Sequence, residues 1–138
     1  MNRYLLDTNH LSEAISRVSV VRDRMRQLHR QGTIFGTCGP VLCELLVGVL
    51  QRKDAHATRR RLQGLLQLVR IWPIGLDIAV RYGEVYRELQ KAGRALSQVD
   101  MILAAMCRDA NFTLQTTDQD FQALPDIRTE NWLTSKSS

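Results

Sequence analysis

Apolar and polar positions fall in blocks along the chain, and the block lengths predict an alternation of strands and helices. Tyr4, Leu5 and Leu6 form a short run that stops on a charge, Asp7, so Arg3 to Leu6 reads as a buried strand. "TNHLSEAISR", residues 8–17, predicts a first helix with Thr8 or Asn9 as its cap. Val18, Val21, Met25 and Leu28 recur at helical spacing over residues 18–32, and Gly32 can close that helix. "TIFGTCGP", residues 33–40, is β-branched and aromatic before a Gly-Pro break and predicts a second strand.

Pro40 suits the first turn of the next helix, "PVLCELLVGVL". Leu62, Leu65, Leu66 and Val69 line one face of a helix over 55–69. "IWPI", residues 71–74, is a third strand candidate, followed by a helix over 76–93 that ends at Gly93. A helix over 97–111, the strand candidate "FTLQT" and a short helix "DQDFQALP" stopped by Pro125 complete the pattern. Strand–helix units of this size predict an α/β fold with a parallel sheet covered on both faces. One domain is expected over residues 1–133, with a polar tail at 134–138.

Composition narrows the setting. The net charge of +5 and pI near 9.6 favour a polyanionic partner, nucleic acid or an acidic protein segment, without choosing between them. No apolar run reaches the length of a bilayer, and Asp7 and Glu13 fall where the apolar part of a signal peptide would lie, so a cytoplasmic protein is expected. Cys38, Cys43 and Cys107 are scattered, without metal-ligand spacing, and read as small buried hydrophobes.

Four carboxylates occupy unusual places. Asp7 and Asp118 each follow the carboxyl end of a predicted strand, where ligands of open parallel sheets bind; each is equally suited to cap a helix or a turn. Glu44 sits among Val41, Leu42, Cys43, Leu45, Leu46 and Val47, a helix apolar nearly all round. A carboxylate buried there needs a partner, and the alternative is that Glu44 faces a solvent crevice. Asp100 completes a capping box with Ser97, and that reading suffices for it taken singly. Taken together, acids without basic neighbours suit Mg²⁺ or Mn²⁺, hard cations that prefer oxygen ligands.

"YLLDTNHLSE", "PVLCELLVG", "SQVDMILAAM" and "LQTTDQDF" resemble, in order and spacing, the four acidic motifs of PIN-domain ribonucleases, and among these the VapC-type toxins of toxin–antitoxin pairs. The resemblance runs from Asp7 to Phe121 and includes the C-terminal "TENWL". It implies a three-layer α/β/α sandwich around a central parallel sheet, with the acids at the strand ends. It makes Asp7, Glu44, Asp100 and Asp118 the catalytic, metal-binding quartet, with Asp7 and Asp100 as primary ligands and Asp120 as an auxiliary acid. Thr116 and Asn9 match residues that brace the site. The implied reaction is Mg²⁺- or Mn²⁺-dependent hydrolysis of an RNA phosphodiester, with a cognate antitoxin, a homodimer and a hetero-oligomer with the antitoxin as the partners, and no membrane.

Arg22, Arg26 and Arg30 recur every four residues, and Arg59, Arg60 and Arg61 form a second block. They are candidate RNA contacts or, equally, the solvated faces of amphipathic helices. His10 either hydrogen-bonds near the site or takes a surface helix position. The competing function is a catalytically silent module of the same fold that binds RNA or protein. A phosphoryl-transfer role for Asp7 is disfavoured, because "DTN" lacks the second aspartate of a DxD pair.

Overall fold

A computed structural model describes residues 2–133; the predicted tail at 134–138 lies outside them. The chain runs β1 (Arg3–Leu6), α1 (Thr8–Ala14), α2 (Val20–Arg30), β2 (Ile34–Thr37), α3 (Gly39–Leu50), α4 (Ala55–Leu65), β3 (Val69–Ile71), α5 (Leu76–Lys91), α6 (Gln98–Ala110) and β4 (Thr113–Gln115). A short 3₁₀ helix, Gln119–Ala123, and β5 (Thr129–Glu130) follow.

All five strands pair in parallel in the order β3-β2-β1-β4-β5, which puts β1 in the middle. Register pairs Tyr4 with Phe35 and Thr113, and Leu5 with Gly36 and Leu114. Tyr4, Leu6, Phe35 and Gln115 therefore share one face, and Leu5 and Leu114 the other. Leu5, Leu6 and Leu114 are all fully buried, so helices cover both faces and the sandwich has three layers. That burial explains why β1 reads as a continuous apolar run rather than an alternation.

Several boundaries move from those the sequence predicts. The third strand is Val69–Ile71 rather than residues 71–74, and Val69 belongs to it rather than to the helix before it. Pro73 has no N–H to give a ladder, so pairing must come earlier; the last bond to β2 is Trp72 N–H to Thr37 O, 2.7 Å. Helix α1 stops at Ala14, and α2 starts only at Val20, where Ser19 accepts from Arg22 N–H at 3.0 Å. Val18 consequently lies outside the buried stripe and is 83% exposed. Gly32 and Gly93, both at positive φ, follow α2 and α5. Strand β5, two residues long, is absent from the hydrophobic pattern altogether.

Helix α3 differs most from expectation. It buries Val41, Leu45 and Val49 but leaves Val47 63% and Leu50 57% exposed. Glu44 and Cys43 are exposed with them, so neither is the buried group its apolar neighbours suggest. Cys38 and Cys107 are buried, and all three thiols are free.

Candidate active site

Strand β1 ends at the centre of the sheet, and Asp7 is the next residue. Its N–H still pairs with Gln115 O of β4, at 3.1 Å, so its backbone is held as firmly as the strand. Asp7, rather than Thr8 or Asn9, caps α1: Oδ1 accepts from Thr8 N–H at 2.7 Å. Its other oxygen, Oδ2, accepts from the Thr116 hydroxyl at 2.9 Å. The Thr116 oxygen in turn accepts from Asp118 N–H at 3.1 Å, so one threonine just past β4 ties the first acid to the last.

Asp118 caps the 3₁₀ helix, accepting from Asp120 N–H at 2.8 Å. The Ser97 hydroxyl accepts from Asp100 N–H at 3.1 Å, forming the predicted cap of α6. Capping and a place in the acidic cluster are thus compatible roles for Asp7 and Asp118, while Asp100 sits in the capped first turn of α6. Asn9 donates from Nδ2 to the Thr117 hydroxyl at 2.7 Å, bracing the start of α1 against the loop that carries Asp118. Thr8 donates from its hydroxyl to Glu44 Oε1 at 3.0 Å, across 36 residues of sequence.

Electrostatics show how close the acids stand. Burial pushes the Asp100 carboxyl up to about 7; next come the charge of Asp7 and then a hydrogen bond and the charge of Asp118. Burial also raises Asp7, against the stabilising bonds from Thr8 and Thr116, with the charges of Glu44 and Asp118 adding to the rise. Among the described residues none of the four acids makes an ion pair. Asp120 is exposed, and its backbone N–H rather than its carboxylate is what touches the cluster.

The donor set consists of carboxylate oxygens crowded without a cation, which fits a hard divalent ion. Among the described residues no three His, Cys, Asp or Glu side chains close tightly enough to enclose an ion by themselves.

The other predicted site residues take different places. Arg22 donates to the carbonyls of Ala14 at 2.7 Å, Ser16 at 2.5 Å and Arg17 at 3.0 Å. Arg61 donates to Ile15 O at 2.6 Å and pairs with Asp54 at 3.6 Å. These two guanidiniums hold the carbonyls at the end of α1 and in the turn that follows it. Arg26 pairs loosely with Asp23 at 3.9 Å, and Arg26, Arg30, Arg59 and Arg60 are exposed. His10 is neither on the surface nor among the acids. It is fully buried, its Nε2 accepts from Trp132 N–H at 3.2 Å, and burial lowers its pKa to about 4, so it is neutral.

Sequence reasoning passed over Thr8 as a partner of Glu44, Thr117 as a partner of Asn9, and the Trp132 anchor. Trp132 also lies under the Arg24 guanidinium, 4.3 Å from the ring, and edge-on to Tyr4 at 5.1 Å. The quoted "DTN", "PVLCELLVG", "LQTTDQDF" and "TENWL" contain these residues, but the tertiary partners carry no local signal.

Strand-tip acids on a five-stranded parallel sheet define the class. The chain belongs to the PIN domain family, whose model matches residues 4–127. Within that family it is 27% identical over 130 residues to Ribonuclease VapC2 of Rickettsia felis, covering 94% of this chain and 97% of that protein. It is 31% identical over 98 residues to Ribonuclease VapC4 of Mycobacterium tuberculosis, covering 70% and 75%. The fold matches the crystal structure of VapBC2 from Rickettsia felis bound to a promoter DNA fragment, with TM-score 0.81, 26% identity and coverage of 94% and 98%.

Proposed function

We propose that this protein is a metal-dependent endoribonuclease, the toxin of a toxin–antitoxin pair, and that a cognate antitoxin neutralises it. The observation that carries the reading is the gathering of Asp7, Asp100, Asp118 and Glu44 from four separate segments with no cation among them. The names of its relatives, ribonucleases of the VapC type, support the same reaction class.

Asp7 and Asp100 are the principal ligands for Mg²⁺ or Mn²⁺, with Glu44 and Asp118 completing the set directly or through water and Asp120 outside it. When bound, such an ion supplies Lewis acidity toward the phosphoryl oxygens and lowers the pKa of the attacking water. The protein's part is orientation. Asp7 is fixed by two hydrogen bonds, one to each oxygen, and Thr116 sets its spacing from Asp118. Burial and the charges of Asp7 and Asp118 push the Asp100 carboxyl up, so low pH opposes ion binding and suppresses turnover.

Of the six candidate arginines, Arg26, Arg30, Arg59 and Arg60 are exposed and best placed to neutralise RNA phosphates. A cleft of about 450 Å³ lined by Val18, Val20, Val21, Glu13, Arg24 and Trp132 suits an antitoxin segment with an apolar face. Ile71, Ile74, Leu76 and Val80, all exposed at the β3 edge and the start of α5, support a homodimer. No helix among the described residues is long and apolar enough to cross a membrane, and we place the protein in the cytoplasm.

The test is cleavage of RNA with Mg²⁺ or Mn²⁺ by the wild type, Asp7→Asn and Asp100→Asn. Loss of cleavage in both variants and on chelation is expected. Variants that cleave at the wild-type rate would refute the assignment, and RNA binding that survives chelation without turnover would point to the silent module.

A further inference from the structure

Glu44 poses a problem for any ion at the strand tips. It projects from the exposed side of α3, and a free glutamate there samples many rotamers, each of which must be given up to make a ligand. Glu44 Oε1 accepts a hydrogen bond from the Thr8 hydroxyl at 3.0 Å. The same residue's N–H holds Asp7 Oδ1 at 2.7 Å. Thr8 thus touches two of the four acids, one just past β1 and one on α3, with two different groups. Its backbone is fixed by the Asp7 cap, so the hydroxyl reaches Glu44 from a set position. Thr116 is the counterpart on the other side of Asp7, linking it to Asp118.

We propose that Thr8 is a positioning residue, whose hydroxyl holds Glu44 in register with Asp7 over the acidic centre. This inference rests on reading that centre as a divalent-cation site, and it gives Thr8 a task beyond starting α1. It predicts that the hydroxyl matters through Glu44 alone and that the methyl group matters less.

The experiment titrates Mn²⁺ alone into the intact protein and follows the free ion by electron paramagnetic resonance, with no substrate present. Thr8→Val, which keeps the shape and removes the hydroxyl, is expected to weaken Mn²⁺ binding about 10-fold. Thr8→Ser is expected to restore most of that loss. Added to Glu44→Gln, Thr8→Val is expected to cost nothing further, because the group it positions is already gone. Should Thr8→Val fail to fold, Thr8→Ala takes its place with the same expected loss. Wild-type affinity in the Val or Ala variant, or a loss that adds in full to that of Glu44→Gln, overturns the inference while leaving the cation site intact. A Glu44→Gln protein that binds Mn²⁺ unchanged likewise overturns the inference alone, whereas a wild-type protein that binds no Mn²⁺ overturns both.

Discussion

Glu88 and Asp126 close on the guanidinium of Arg108, whereas Asp7, Asp100 and Asp118 close on one another. Arg108 donates to both oxygens of each partner, at 2.9 and 2.8 Å to Asp126 and at 3.0 Å for one of the two bonds to Glu88. Hydrogen bonds from Arg108 hold both acids below the ordinary carboxylate range. At the strand tips the sign reverses: burial and neighbouring negative charge raise Asp7 and push Asp100 up to about 7. A carboxylate cluster that carries its own cation joins α5, α6 and the loop at Asp126. One that lacks a cation costs stability as built, which marks it as a candidate functional site rather than a structural pair.

That contrast sets the expected effects of substitution. Asp7→Asn should lower RNA cleavage about 1,000-fold, the loss expected when several kcal/mol of charge stabilisation disappear, with no fall in melting temperature. Arg108→Ala should do the opposite: cleavage stays near wild type while stability falls by about 1–2 kcal/mol in urea titrations, since a largely buried cation leaves two acids facing each other. A large loss of cleavage in Arg108→Ala would erase the distinction between the clusters.

The pH dependence sharpens it further. A carboxyl whose folded pKa is raised binds protons more tightly in the folded state, so its contribution to stability falls as pH rises from about 4 to about 7. Glu88 and Asp126 work in the other direction, and their contribution is lost as pH falls through their lowered folded values. Buried His10, lowered to about 4, also loses stability as pH falls, between about 6.5 and about 4. The effect of Asp100 is therefore read as a difference: without divalent ions, Asp100→Asn should gain on the wild type across pH 4 to 7 in thermal melts. A constant gap between the two proteins would contradict the assignment of the raised pKa to Asp100.

Much of this was legible in the chain, for identifiable reasons. "RYLL" is apolar on both faces because β1 lies mid-sheet, and the charge that ends it sits where a parallel sheet exposes its strand tips. Capping rules found Ser97 and Asp100 because a cap is local. Glu44 was harder, since an apolar helix does not say which of its faces the rest of the molecule covers. The repeat of Arg22, Arg26 and Arg30 likewise conceals that Arg22 turns back onto α1 while the others face solvent. The Thr8–Glu44 bond and the burial of His10 against Trp132 join residues 36 and 122 positions apart, and neither leaves a periodic trace. β5 is too short for any pattern to form.

The central claim is that the strand-tip acids are uncompensated so that a divalent cation can complete them. Melting temperatures at pH 7 of the wild type and Asp100→Asn, each with and without Mn²⁺, test it most directly. The variant should melt above the wild type without Mn²⁺, and Mn²⁺ should raise the wild type while leaving the variant nearly unmoved. Equal shifts in the two proteins, with the variant melting below the wild type when no ion is present, would contradict it.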